Sequence, residues 1–457
     1  APLGVQVPGG FSVTANAFRD FLEEGGLREP ISQVLLRLVK GVTSYNKASA
    51  QIRALIDAAP LPEALAQPVR AAYRELCRRD GLAEGEHLDV AVRSSATAED
   101  LPDASFAGQY DSFLNVRGEE PVLQALKGCY ASLFTERALA YREQQGFDHL
   151  DVALAVGIQK MVRADTGSAG VMFSLDPESG FPRVVVINGN WGLGETVVQG
   201  SVTPDEFMVF KPLLAREGLV PIIKRERGDK THKLIYGAVG DQPTKEVKTS
   251  AAEREAFVLN DAEVLQLARW AVLIERHYGS PMDMEWAKDG QSGELYLVQA
   301  RPETVHARQN TASGAGSLKS YTLTQQGTKL LEGLALGEAI TAAPVCVLRH
   351  LSEAENFVDG AILVTEVTDP GWVPLMKRAA GLITDAGGRT SHAAIVSREL
   401  GLPAIVGTGQ ATTLLRDGQE VTLSCAEGEH GAVYEGRLTW REEVQDLAAL
   451  PFTDTKL

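Results

Sequence analysis

The tract at 306–320, HARQNTASGAGSLKS, constrains this chain more than any other feature: it is polar, small and without apolar period. Such a stretch cannot bury a core and reads as a flexible interdomain linker, so the sequence predicts separate modules able to move against each other. Residues 1–305 mix helical patterns such as SQVLLRLVKGV and EALAQPVRAAYRELCRR with β-rich runs such as RVVVING and ELYLVQAR. Residues 321–445 alternate short β runs (AILVTEV, GLITD, PAIVG, QEVTLSC, AVYEG) with the helical pieces VPLMKRAA and HAAIVSREL. Residues 446–457 form a tail. The fold class is α/β with α+β character. At about 100–200 residues per domain, the length suggests about three units, yet the motifs below account for two.

Composition narrows the function classes. Hydrophobic residues at 44% and charged residues at 23% exclude a disordered, collagenous or coiled-coil chain. The 44 Lys plus Arg against 60 Asp plus Glu leave a net charge of -16, which argues against nucleic-acid and anionic-membrane surfaces. Cys77, Cys129, Cys346 and Cys425 are scattered, with no CxxC and no Cys/His cluster, so neither a zinc site nor a disulfide framework is expected and a reducing, cytoplasmic compartment fits. No apolar run approaches the ~20 residues of a membrane span. The chain opens at Ala1, directly into strand-like text, as a processed form or a fragment does.

Three segments carry chemistry. SPMDMEWAKDGQSGELYLVQARPET reads as a hairpin, with strands near 281–287 and 294–301 and a turn built on Asp-Gly and Ser-Gly. Asp283 and Glu285 share one face of the first strand, and Gln299 and Arg301 share one face of the second. Carboxylate and amide oxygens suit magnesium and arginine suits phosphate, so the hairpin is a candidate Mg-nucleotide site; the plainer reading is an edge hairpin with a solvated polar face. AVRSSATAEDLPDASFAGQYDSF, holding Arg93, Ser94, Ser95, Gly108 and Ser112, is a long loop of the kind that wraps phosphates. INGNWGLGETVVQGSVTPDEF adds glycines after a strand; neither stretch matches a P-loop or a dinucleotide fingerprint.

The third segment, GLITDAGGRTSHAAIVSRELGLPAIVG, carries the strongest signal. A strand ends at Asp385, Gly387 and Gly388 permit a tight path, and Thr390 or Ser391 caps a helix beginning near His392. Helix N-terminal amides favour anions and a neutral imidazole is a competent nucleophile, so His392 is a candidate phosphate acceptor. The other seven histidines have no comparable setting, and Trp191, Trp270, Trp286 and Trp372 read as packing residues.

GGRTSHAAIVSRELGLPAIVG resembles the phosphohistidine signature of the phosphoenolpyruvate-utilising enzymes. VPGGFSVTANAF, VRSSATAEDLPDASFAGQYDSFLNV, GVMFSLDPESGF, NWGLGETVVQGSVTPDEF, MDMEW and QARPET resemble the nucleotide-binding domain of the water-dependent dikinases among them. The resemblance implies an ATP-grasp domain over 1–305, the linker, and a swivelling β/β/α phosphohistidine domain over 321–445. It implies ATP contacts from Arg93, Gly108, Ser112, Gln159, Glu285, Gln299 and Arg301, with Gln159 at the adenine hinge, and Mg²⁺ held by Glu285 and Gln299. Arg389 and Thr390 join His392 as the implied catalytic residues. Ser391 stands where the family commonly has Cys.

The implied reaction is ATP + pyruvate + water to phosphoenolpyruvate + AMP + phosphate by way of phosphorylated His392. The ending PFTDTKL resembles the junction into a pyruvate-binding TIM barrel, which is then a missing partner domain, and a family lysine segment is expected upstream of Ala1. Oligomerisation stays open. Pyruvate, phosphate dikinase and rifampicin phosphotransferase are enzyme alternatives. A non-catalytic phosphocarrier or nucleotide-binding regulator is the alternative from another class.

Overall fold

The computed structural model describes residues 4–97, 100–101, 104–105, 110–216, 218–237, 244–303, 317–389, 391–428 and 430–446. They form two compact units, one of 1–163 with 235–245 and one of 164–234 with 246–457.

Alternation and helical periodicity organise the first unit. Strands β1 (Gly10–Val13), β2 (Asp89–Ala96), β3 (Ser112–Arg117) and β4 (Leu154–Lys160) pair antiparallel in the order β1-β4-β2-β3. Val90, Val92, Leu154, Val156 and Ile158 point to one face, where they join a core supplied by α1 (Ala15–Glu24), α2 (Arg28–Val39), α3 (Tyr45–Ala58), α4 (Glu63–Arg79), α5 (Glu119–Ser132) and α6 (Glu136–Gln145). The two helical patterns of the sequence fall on α2 and α4. Intervening positions such as Ala155, Gly157 and Gln159 face away from that core and stay half-exposed.

The second unit contains a sheet and a barrel. The sheet strands are β5 (Ser168–Phe173), β6 (Val184–Trp191), β7 (Asp205–Phe210), β8 (Ile222–Glu226), β9 (Met282–Lys288) and β10 (Leu295–Pro302), all antiparallel in the order β8-β7-β6-β5-β9-β10. A short helix, α7 (Glu195–Val198), follows β6. Helix α8 (Asp261–Tyr278) covers one face, starting at an Asn260–Glu263 capping box and ending at Gly279 in the left-handed conformation. Trp286, 1% exposed, seals that face and donates from Nε1 to the Asn188 carbonyl at 3.2 Å. Truncating so buried an indole to Ala costs roughly 3–5 kcal/mol.

After β11 (Ser317–Leu323), the strands β12 (Lys329–Leu336), β13 (Ile340–Val347), β14 (Ile362–Thr365), β15 (Gly381–Thr384), β16 (Ala404–Val406), β17 (Glu420–Ser424) and β18 (His430–Glu435) close a barrel in the order β12-β16-β15-β14-β13-β17-β18. β13, β14, β15 and β16 run parallel, and their short apolar runs are buried on both sides, as parallel strands require. Ile362, Val364, Ile383, Ile405 and Val433 fill the interior; Leu363, Leu382, Ala404 and Val406 face outward onto Ala393, Ala394 and Val396 of α9 (His392–Leu400). β11 pairs with β19 (Trp440–Asp446) from Ser317↔Asp446 to Leu323↔Trp440, joining the chain's entry to the barrel with its exit. The remainder of the linker tract lies outside the described residues.

Candidate functional site

The histidine sits where a parallel strand hands over to a helix. Beyond β15, the Asp385 carboxylate accepts from the Thr412 amide (3.2 and 3.4 Å), from the Thr412 hydroxyl, and from Thr408 Oγ1 at 3.3 Å. This anchors the loop to the segment after β16. Gly387 follows with φ at 123°, a conformation that penalises any side chain. Ser391 is the N-cap of α9 and accepts from the Ala394 amide at 3.3 Å, which makes His392 the first residue of the helix. Of the two expected caps, Ser391 takes the role; Thr390 lies outside the described residues. Arg389 is buried, and its carbonyl accepts from Arg398 Nη1 at 2.6 Å, tying the loop to the helix it precedes.

His392 Nδ1 is 3.0 Å from Thr368 Oγ1, a buried hydroxyl from the loop after β14. That contact orients the ring and commits one nitrogen, leaving Nε2 for chemistry. Burial pushes the imidazole pKa down to about 4, and the Asp369 carboxylate only partly offsets it. Near pH 7 the ring is a neutral nucleophile at a helix N-terminus, where amides stabilise an anion. Thr368 escaped sequence reasoning because it lies 24 residues upstream with no local signal.

The hairpin reads true: β9 and β10 lie within a residue of the expected spans. The register sets Asp283 opposite Arg301 and Glu285 opposite Gln299, so all four side chains share one face, opposite α8. Arg301 donates to Asp283 Oδ2 from Nε at 2.8 Å and from Nη2 at 2.6 Å, which fixes the direction of the guanidinium. The same row continues through Val171, Asn188, Glu206 and Glu226 on successive strands. Lys224 balances its far end, 3.0 Å from Glu206 and 2.9 Å from Glu226.

Two members of this face were missed by sequence reasoning. Asn188 is 2% exposed, and its Oδ1 has no hydrogen-bond partner among the described residues. Glu195 opens α7, and burial, then the charge of Glu285, raise its pKa. Crowded carboxylates beside an orphaned buried amide oxygen are the donor set a hard cation satisfies. The alternation around Asn188 was visible in RVVVINGNW, but nothing local said which face it would share.

In the first unit, Arg93 lies opposite Ser112 on β3 and opposite Gly157 on β4, with Gln159 two residues further along β4. Arg93, Ser112 and Gln159 therefore share the sheet face that the helices leave open. Gly108 lies outside the described residues.

Residues 1–320 match the model of the pyruvate phosphate dikinase AMP/ATP-binding domain, and residues 357–428 match the mobile domain of PEP-utilising enzymes. The chain belongs to the pyruvate phosphate dikinase AMP/ATP-binding domain family. Within that family it is 52% identical to a phosphoenolpyruvate synthase of Pseudomonas aeruginosa over 99% of its own length and 56% of the relative's. It is 49% identical to the Aquifex aeolicus phosphoenolpyruvate synthase over 100% of itself and 54% of that protein. Identity to the Escherichia coli phosphoenolpyruvate synthase is 48%, over 98% of this chain and 56% of the other. The chain thus spans little more than half the length of these curated relatives. The ATP-grasp and phosphohistidine expectation for the fold agrees with these family matches, the second domain being built on a seven-stranded barrel.

Proposed function

We propose that this chain is the ATP-charging portion of a pyruvate, water dikinase. The observation that carries the reading is His392: a neutral imidazole, oriented through Nδ1 by Thr368, at the capped N-terminus of α9. Nε2 attacks the β-phosphorus of ATP; the N–P bond forms as the bridging P–O bond to the α-phosphate breaks, and AMP leaves. Water then releases one phosphate from the diphosphohistidine, and the remaining phosphoryl group passes to pyruvate as phosphoenolpyruvate.

Arg93, Gly108, Ser112, Gln159, Glu285, Gln299 and Arg301 bind the nucleotide, with Arg389 and Thr390 beside the histidine. Glu285 and Gln299 would hold Mg²⁺, and Asn188 Oδ1 and Glu195 suit the same ion. Bound Mg²⁺ neutralises phosphate charge. The protein's own contribution is positioning and electrostatics, the usual source of phosphoryl-transfer catalysis. Arg301 arrives pre-oriented by Asp283.

The domain division 1–305, 306–320, 321–445 and 446–457 belongs to this proposal, as does movement of the barrel about the linker. A cytoplasmic site belongs to it too, supported by four free, buried thiols; no helix among the described residues is long and apolar enough to cross a membrane. Incubation with Mg²⁺ and β-labelled ATP tests the charging step. Acid-labile label on the wild-type chain, absent from His392→Ala, is the expected result. A wild-type chain that binds ATP without taking label would instead be a nucleotide-binding regulator.

A further inference from the structure

The loop between β5 and β6 reaches the histidine-bearing helix through one carboxylate. Asp176 shapes that loop: its Oδ1 accepts from the Glu178 amide at 3.1 Å, its Oδ2 from Ser179 Oγ at 2.6 Å, and its own amide donates to the Phe181 carbonyl at 3.0 Å. A turn braced in this way presents Glu178 with little rotational freedom. Its Oε2 accepts from Arg398 Nε at 3.1 Å and Nη2 at 2.5 Å. Its Oε1 accepts from the amide of Gly337, in the β12–β13 turn, at 2.9 Å. Arg398 is 8% exposed and turns its third nitrogen, Nη1, onto the Arg389 carbonyl. One carboxylate therefore gathers a barrel turn, the helix α9 and, through Arg398, the backbone just before His392.

The neighbouring contact is close. A Cβ placed on Gly200, which ends the α7 segment, would lie 2.1 Å from Ser391 Cβ, and Gly388 packs toward Pro204. The loop that caps the histidine helix is thus seated against the sheet's own glycine-rich segment, while Glu178 holds the same helix through Arg398.

We propose that Glu178 is a positioning residue for His392: a latch that joins the six-stranded sheet to the barrel in the charging arrangement and must be released for the barrel to move away. A charge-assisted pair with two guanidinium nitrogens holds direction as well as distance, and the Gly337 amide adds a third point. The inference rests on the charging reaction proposed above, and its test separates the two.

In the 457-residue chain, Glu178→Ala should leave ATP half-saturation near wild type and lower the melting temperature, because it strands the Arg398 guanidinium, 8% exposed, without its carboxylate. It should slow acid-labile labelling of His392 about 10- to 100-fold, the penalty of a poorly positioned nucleophile. Carbethoxylation of His392 by diethylpyrocarbonate, followed by peptide mass spectrometry without ATP, should become several-fold faster as the helix leaves its seat. Glu178→Gln keeps an acceptor for Gly337 but loses the charge facing Arg398, and it should fall between the two; it also serves if Glu178→Ala does not fold. Wild-type rates of both reactions in both variants would overturn the latch, as would slowed labelling with unchanged carbethoxylation. A wild-type chain that takes no label, with faster carbethoxylation in Glu178→Ala, would remove the charging reading and keep the latch.

Discussion

The hairpin face of the six-stranded sheet and the histidine loop of the barrel each gather polar groups, but they are built in opposite ways. On the hairpin, side chains are brought together by register: Asp283 with Arg301, Glu285 with Gln299, and Asn188 two strands away. Around His392 the backbone does the work, through a glycine at φ 123°, a serine cap and a carbonyl held by Arg398. The lesson is that a register-built face tolerates loss of one side chain structurally while losing its chemistry. A backbone-built loop loses geometry first, and chemistry as a consequence.

Four experiments press on that contrast. The largest effect is expected from Glu285→Ala and Arg301→Ala, which should each lower His392 labelling by roughly 10²-fold or more, while the chain stays folded by circular dichroism. Normal labelling in both would refute the hairpin as the nucleotide site. Gly387→Ala should act the other way round, destabilising by roughly 1–3 kcal/mol because an L-residue resists φ of 123°. Labelling should fall in step with the lost stability, and a melting temperature equal to wild type would show that the loop has a second acceptable path.

Thr368→Val keeps the volume and removes the hydroxyl beside Nδ1, so labelling should drop about tenfold with ATP affinity unchanged. Equal labelling would mean that the helix cap alone orients the ring. The smallest effect is on pH. His392 and His149 are both pushed down to about 4 by burial. Stability from keeping these rings neutral is fully present above the ordinary histidine value, 6.5, and is lost as pH falls toward about 4. Melting temperatures recorded between those limits should fall less steeply in His392→Asn than in wild type, and labelling should decline only near the lower limit. A decline centred near 6.5 would contradict the burial of the ring.

Much of this was legible residue by residue. The hairpin strands, the cap before His392 and the short β runs of the barrel all follow from period, turn chemistry and capping preference, which act within a few residues. Thr368, Asn188 and Glu195 were not legible, because each matters only through a neighbour on another strand or loop. Glu178 is a sharper case: its partners, Gly337 and Arg398, stand 159 and 220 residues away, and no local pattern marks such a pair.

By itself, then, the sequence determined the start of the histidine-bearing helix and a paired set of carboxylate, amide and guanidinium groups on a hairpin. Those are matters of local backbone preference and of side-chain chemistry, and both are written in neighbouring residues. Only the tertiary structure decided that seven short strands close into a barrel, that Thr368 rather than a nearer residue holds the imidazole, and that one glutamate ties sheet to helix. These depend on strand register and on close packing between distant segments, where a shift of one residue would turn each side chain to the opposite face.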